Sequence, residues 1–282
     1  MICFYHDDLD GICAAWWVKY WCENNMNSNE RMKFMAVNYG KNFPIDEITP
    51  CEKVFIVDFS LDDPEDMKKV LDITSNVVWI DHHISAINKY NNFDSVDGLR
   101  VNGVAACALT YLFLFKHSDL TNYGDIPLFT RLIADHDIWR FKYGDNTRNF
   151  VAGLMCDNIC PSSRIFYELE DSDKVQTIIN NGRLIRKYIK NDNAKYATEN
   201  AYEGEFEGYK ALIINRGFSN SDLFDAVRSN KYDLYIKYCR TKEKKWTYTI
   251  YSDSVDVSKL AEKYGGGGHK GAAGFTTDTL IL

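Results

Sequence analysis

The sequence has little with which to enter a membrane. Apolar stretches such as Val54–Val57 and residues 112–115 fall far short of the about 20 residues that a spanning helix needs. No basic-then-apolar signal stands at Met1-Ile2-Cys3, so the cytoplasm is the expected location. Positive charge is also in short supply: 33 Lys and Arg face 40 Asp and Glu, a net charge of −7. That balance argues against a protein that grips long nucleic acid by neutralising many phosphates, and no long duplex is expected as a partner. Small or short phosphorylated substrates fit better. Part of the negative charge is accounted for if carboxylates are clustered to receive divalent cations.

Other absences narrow the field further. The eight cysteines lack the dense, regular spacing of a secreted disulfide scaffold and read as reduced thiols. Cys156 and Cys160 are loosely spaced with no second Cys/His pair in register, which leaves no zinc site. There is no Gly-x-Ser-x-Gly, hence no nucleophile elbow, and no internal repeat or low-complexity tract. Lys242-Glu243-Lys244-Lys245 is read as a charged hairpin tip.

What is present is an ordinary globular composition, 45% hydrophobic and 26% charged, over 282 residues, enough for two lobes. In the first half, short apolar runs alternate with amphipathic stretches, the pattern of a largely parallel sheet flanked by helices. Residues 2–5, 35–38, 54–57 and 77–80 read as buried strands. Residues 9–22 have helical spacing, and Asp63-Pro64-Glu65 opens another helix with early acids. Further helices are predicted at about 104–116 and 128–135. From about 161 to 200 strand signals vanish and a helical connector is predicted. A second, smaller α/β domain follows, with strands at 210–215, 234–239 and 246–251, a helix at 223–227 and a glycine run at 265–268.

Four clusters place Asp or His directly after an apolar strand or at the end of an apolar helix. They are His6-Asp7-Asp8-Leu9-Asp10-Gly11, Asp58, Asp81-His82-His83 and Asp135-His136-Asp137. Ligands in open α/β sheets bind outside the carboxyl ends of the strands, so three of these clusters should converge in one crevice, with the fourth arriving from a helix. Carboxylates with imidazoles suit manganese or magnesium better than a thiolate-loving metal. Each cluster alone has a plainer explanation: Asp8 can cap a helix, Asp58 can start a turn, and His82 and His83 can be a satisfied polar pair. Four such coincidences on one sheet edge argue for a metal centre.

The motifs resemble those of the DHH phosphoesterases that carry a DHHA1 domain, a family of RecJ-type exonucleases, nano-RNases and cyclic-dinucleotide phosphodiesterases. His6 to Gly11 matches the H-x-D-x-D-G form, Asp58 the second motif, Asp81-His82-His83 the third and Asp135 the fourth. Gly265 to Gly274, including Gly266, Gly267, Gly268, His269 and Lys270, is similar to the DHHA1 signature. The resemblance spans nearly the whole chain and implies a DHH catalytic domain at 1–155, a connector at 156–203 and a DHHA1 substrate-binding domain at 204–282.

It further implies two divalent ions, with manganese preferred and magnesium acceptable. One would be held by His6, Asp8 and Asp58, the other by Asp10, Asp58, His82 and Asp135, with Asp137 the alternative acid. His83 would face the substrate and Asp81 would support the histidines. His136 and Trp139 would shape the surroundings. The glycine-rich turn of Gly266, Gly267 and Gly268, with His269 and Lys270, would meet substrate phosphate. Family members often carry an arginine in the strand before that turn, where this chain has Tyr251; Arg216 is a candidate substitute, against the plainer reading of a surface arginine in a loop.

Two ions about 3.5–4 Å apart activate a shared water and stabilise both oxygens of an in-line displacement. The implied activity is a phosphodiesterase whose bridging hydroxide attacks phosphorus, cutting short oligonucleotides or linear dinucleotides to nucleoside monophosphates. Cyclic-dinucleotide cleavage, and hydrolysis of pyrophosphate, polyphosphate or 3′-phosphoadenosine phosphate, are the enzymatic alternatives. A nucleotide-sensing binding protein is the non-enzymatic one. A homodimer is left open.

Overall fold

A computed structural model of the protein describes residues 1–25, 32–90, 93 and 95–282. The chain divides into two units, Met1–Ile185 and Arg186–Leu282.

The first unit is built on β1 (Ile2–His6), α1 (Leu9–Asn25), β2 (Lys33–Val37), β3 (Val54–Val57), α2 (Pro64–Ile73), β4 (Val77–Ile80) and α3 (Ile84–Lys89). The strands form a wholly parallel sheet of order β2-β1-β3-β4. β3 and β4 are unbroken apolar runs because both faces of the sheet are covered. Cys3, Tyr5, Phe55, Val57, Val78 and Ile80 point into one core, and Ile2, Phe4, Val54, Ile56, Val77 and Trp79 into the other. Register places Tyr5 beside Val57, and Val57 beside Ile80, so His6, Asp58 and Asp81 emerge together at the carboxyl edge.

The first core is completed by α4 (Ala106–Phe115), α5 (Leu128–Asp137), α6 (Asp145–Leu154) and α7 (Ile165–Glu168). Within α1, residues 13–18 are buried all round, so it is an interior helix rather than a surface one. Trp17 Nε1 donates to Thr130 Oγ1 at 3.1 Å, fastening α1 to α5. α8 (Ser172–Asn200) begins in the first unit and ends in the second. Among the described residues no helix is long and apolar enough to cross a membrane.

The second unit continues with β5 (Tyr202–Phe206), β6 (Tyr209–Asn215), β7 (Leu234–Arg240), β8 (Trp246–Tyr251), α9 (Val257–Glu262), β9 (Gly267–His269) and β10 (Ala272–Thr277). They form a mixed sheet of order β5-β6-β7-β8-β10-β9, in which only the β6–β7 pair is parallel. The helix predicted at 223–227 is a single 3-10 turn at Ser221–Phe224, begun by Asn220 accepting from the Asp222 N–H. The Lys242 to Lys245 stretch lies in the loop joining β7 to β8.

Candidate functional site

The first motif supplies side chains through a bend between β1 and α1. Gly11 makes the bend feasible: a Cβ there would lie 2.1 Å from the His6 carbonyl oxygen. Asp8 caps α1 by accepting from the Gly11 N–H at 2.9 Å, and its other oxygen lies 2.8 Å from His6 Nδ1. Asp10 is only 2% exposed and accepts from the Ala106 and Cys107 N–H groups at 2.7 and 2.9 Å. Those amides open α4, where the helix dipole favours a carboxylate.

Asp58 follows β3 with φ +58°, a backbone conformation that non-glycine residues seldom adopt. It is 1% exposed, and among the described residues neither carboxylate oxygen has a hydrogen-bond partner. Its neighbours are His82 Nε2 at 3.2 Å, His6 Nδ1 at 3.7 Å and His83 Nδ1 at 4.0 Å, close in distance without hydrogen-bond alignment. Such an orphaned buried carboxylate is costly unless a cation meets it.

Asp81 behaves differently. One oxygen accepts from the His82 and His83 amides and from His83 Nδ1 at 2.8 Å, and the other from the Ser60 hydroxyl. It fixes the His83 ring, and His83 Nδ1 is spent on it. Ser60, two residues beyond Asp58, carries no sequence signal for this role.

In the fourth motif the geometry differs from the sequence assignment. Asp137 Oδ2 lies 3.4 Å from His82 Nε2, is buried and has no hydrogen-bond partner among the described residues. Asp135 instead accepts from the Lys142 and Tyr143 amides and the Thr147 hydroxyl, tying down the start of α6. The difference has a helical cause. Residues two apart on a helix point to nearly opposite sides. The Thr130–Trp17 contact turns the stripe of Thr130, Ile133 and Asp137 toward α1. Asp10 lies seven residues before Trp17 and Asp137 seven after Thr130, so the two carboxylates meet at the same end of that helix pair.

Donor atoms thus form three groups, each within 4.8 Å: His6, Asp8 and Asp58; Asp58, His82 and His83; and Asp10, His82 and Asp137. Oxygen and imidazole donors, a shared Asp58 and its two orphaned oxygens fit hard divalent cations. Burial, then the Asp58 charge, raises Asp10 to about 7. Burial, then Asp10, raises Asp137 to about 7. Burial raises Asp58 as well. His6 rises to about 10 beside Asp58 and Asp8, and His83 to about 9 on Asp81. Burial opposes ionisation of Asp8, but His6 and the Gly11 amide bring it down to about 2.

These shifts set a pH dependence. Asp10 and Asp137 hold protons more tightly folded than unfolded, so their stabilisation is full below about pH 4, fades as pH rises and is gone above about pH 7. His6 and His83 act in the same direction higher up, their contribution full below about 6.5 and lost as pH rises through about 9 and 10. Chelator-treated protein should therefore melt lower at pH 9 than at pH 6, and added manganese should release protons and raise the melting temperature more at pH 8 than at pH 6. A metal-free melting temperature that climbs from pH 6 to 9 would contradict this.

The glycine run lies in the second unit, where Gly265 is in a turn and Gly267 and Gly268 belong to the edge strand β9. β9 pairs antiparallel with β10, His269 facing Ala272. A Cβ on Gly266 would meet the Gly274 carbonyl at 2.1 Å, and one on Gly268 the Ala272 carbonyl at 2.6 Å, so both are required for strand packing. Gly267 has open space around it, and Gly267, His269 and Lys270 are exposed. Tyr251 ends β8, partly buried near Phe224. Arg216 is committed locally, bonded to Asp192 at 2.6 Å and lying over the Tyr196 ring, which weakens its candidacy as a phosphate contact. In the first unit, His136, Trp139 and Phe141 form a chain of ring contacts beyond Asp137, with Trp139 77% exposed.

Comparison with known families decides the affiliation, because the model of the DHH family, N-terminal domain, matches residues 1–141. The chain belongs to the DHH family. By class this DHH chain is a phosphoesterase. It is 20% identical over 297 aligned positions to oligoribonuclease NrnB of Bacillus subtilis (strain 168), covering 96% of this chain and 71% of that protein. Two solved structures share the fold. The pGpG-specific phosphodiesterase PggH from Vibrio cholerae aligns with a TM-score of 0.57 at 13% identity, over 98% of this chain and 92% of its own. An exopolyphosphatase-related protein from Bacteroides fragilis aligns with a TM-score of 0.51 at 13% identity, over 99% and 87%.

Proposed function

We propose that this DHH chain is a two-metal phosphodiesterase that cuts short oligonucleotides or linear dinucleotides to nucleoside monophosphates. The observation that carries the reading is Asp58: a buried carboxylate with both oxygens orphaned, shared between two groups of metal donors. His6, Asp8 and Asp58 would hold one ion, and Asp10, Asp58, His82 and Asp137 the other. Manganese is the preferred metal. When bound, such a pair supplies an activated water and positive charge toward the phosphoryl oxygens.

The chain's own residues do the rest. Asp81 holds His83 through Nδ1 and keeps it protonated at neutral pH, so Nε2 is left to donate to a phosphoryl oxygen or to the leaving oxygen. Ser60 and the two amides keep Asp81 an acceptor. Exposed Gly267, His269 and Lys270 are assigned to substrate phosphate in the second unit, where an edge strand offers free backbone amides. The nucleotide substrate class is supported by the likeness to NrnB over most of both chains, and the restriction to short substrates by the net charge of −7.

The test is a manganese-supplemented hydrolysis panel of linear dinucleotides, cyclic dinucleotides, longer single strands and pyrophosphate. Rates should be highest for two-residue substrates and fade with length. Cleavage of pyrophosphate alone would replace the reading with a pyrophosphatase, and no product from any class would leave a nucleotide-binding protein.

A further inference from the structure

The catalytic edge carries one aromatic residue that none of the motifs contains. Tyr39 lies two residues beyond the end of β2, where Val37 is paired with His6. Its ring centroid is 5.6 Å from that of His6, 6.0 Å from that of His83 and edge-on to the latter, and 4.7 Å from that of Phe59. The residue is nonetheless 42% exposed. By contrast Tyr90, 2% exposed, packs in the same unit and donates its hydroxyl to the Leu61 carbonyl. The turn holding Tyr39 is fixed from behind, with Gly40 at φ +71° donating its amide to Asp62 at 2.9 Å.

The hydroxyl is half used. It accepts from the Ser60 N–H at 3.4 Å, and among the described residues no acceptor takes its own proton. An ordinary phenol, which loses its proton only near about pH 10, is a neutral donor at working pH. The surroundings are otherwise rich in carboxylates, namely Asp8, Asp10, Asp58 and Asp137, and His83 is a partly exposed imidazole among them. An anionic phosphodiester needs donors on its nonbridging oxygens, and a fixed, neutral O–H needs no reorganisation to provide one.

We propose that Tyr39 contacts the substrate, its hydroxyl donating a hydrogen bond to a nonbridging phosphoryl oxygen of the phosphodiester held beside His6 and His83. This rests on the phosphodiesterase reading but makes a separate claim about one side chain. A purely structural tyrosine would act through its ring, packed on Phe59 and the two imidazoles, and through the Ser60 amide that its hydroxyl receives; phenylalanine would then cost stability or rate but leave the discrimination between sulfur diastereomers unchanged.

The experiment compares wild type with Tyr39→Phe, both manganese-loaded, on a linear dinucleotide and on the two diastereomers in which sulfur replaces one nonbridging oxygen. Tyr39→Phe should lose about 10- to 100-fold in kcat/KM. It should also lose the wild type's discrimination against one diastereomer, with manganese affinity within about twofold. Equal sulfur discrimination in both proteins, with or without a change in kcat/KM, would overturn the proposal, as would a loss explained by weakened manganese binding. If wild type cleaves no dinucleotide, the phosphodiesterase reading fails by itself. Equilibrium binding of adenosine monophosphate to the manganese-loaded proteins then decides: about fivefold or greater weakening in Tyr39→Phe supports the contact, and equal affinity refutes it.

Discussion

Asp58→Asn should abolish hydrolysis while making the metal-free protein more stable. The asparagine keeps the shape and tolerates the positive φ of 58°. It removes the charge shared by two donor groups, so metal affinity and turnover should fall together by on the order of 10³-fold or more. In the metal-free protein, wild type must bury a carboxylate with no hydrogen-bond partner beside Asp8 and Asp137, whereas an amide needs no counter-charge. A gain of about 1–2 kcal/mol is expected, read as a rise of roughly 2–8 °C in the melting temperature of chelated samples. Manganese, which raises the wild-type melting temperature, should do little for the variant. Near-normal turnover by Asp58→Asn would refute the assignment of this residue at the heart of the centre.

The second large effect separates two acids that lie only two positions apart. Asp137→Asn should lower manganese affinity and hydrolysis by about 100-fold or more while leaving chelated protein folded. Asp135→Asn should do the reverse. Its carboxylate accepts from two amides and a hydroxyl, and an amide group would turn a donor toward one of them. A destabilisation of about 2–3 kcal/mol follows, or roughly 4–12 °C in melting temperature, with manganese affinity of the folded fraction unchanged. Loss of metal binding in Asp135→Asn, with Asp137→Asn fully active, would restore the assignment made from sequence.

The same pair shows how far sequence reading reaches. β3 and β4 were readable to the residue because four apolar positions in a row, covered on both faces, leave no other interpretation. The gathering of His6, Asp58 and Asp81-His82-His83 at one sheet edge was readable because His6 ends such a strand and the others directly follow one. The fourth motif lies in the last turn of a helix, where the side facing the centre depends on how α5 rolls against α1. That roll is set by Trp17 and Thr130, which are far apart in sequence. Ser60 and Tyr39 were hidden because neither belongs to a ligand pattern, and both act through positions that only the folded sheet edge creates. α6 escaped notice because its buried set includes the polar residues Thr147 and Asn149, Thr147 donating its hydroxyl to Asp135. β9 and β10 escaped because strand pairing there depends on missing side chains, which reads in one dimension as looseness.

The seam between α1 and α5 has one further consequence. From the Trp17–Thr130 bond, each helix runs two turns, roughly 10 Å, to its metal-facing acid, and the two intervals are equal. The pair therefore acts as a matched gauge, with a clamp at one end and paired jaws at the other. An insertion or deletion of one residue in either interval would swing its acid by about 100° and shift it by about 1.5 Å. Loops elsewhere in the chain are free to drift in length, whereas these two seven-residue spans are not.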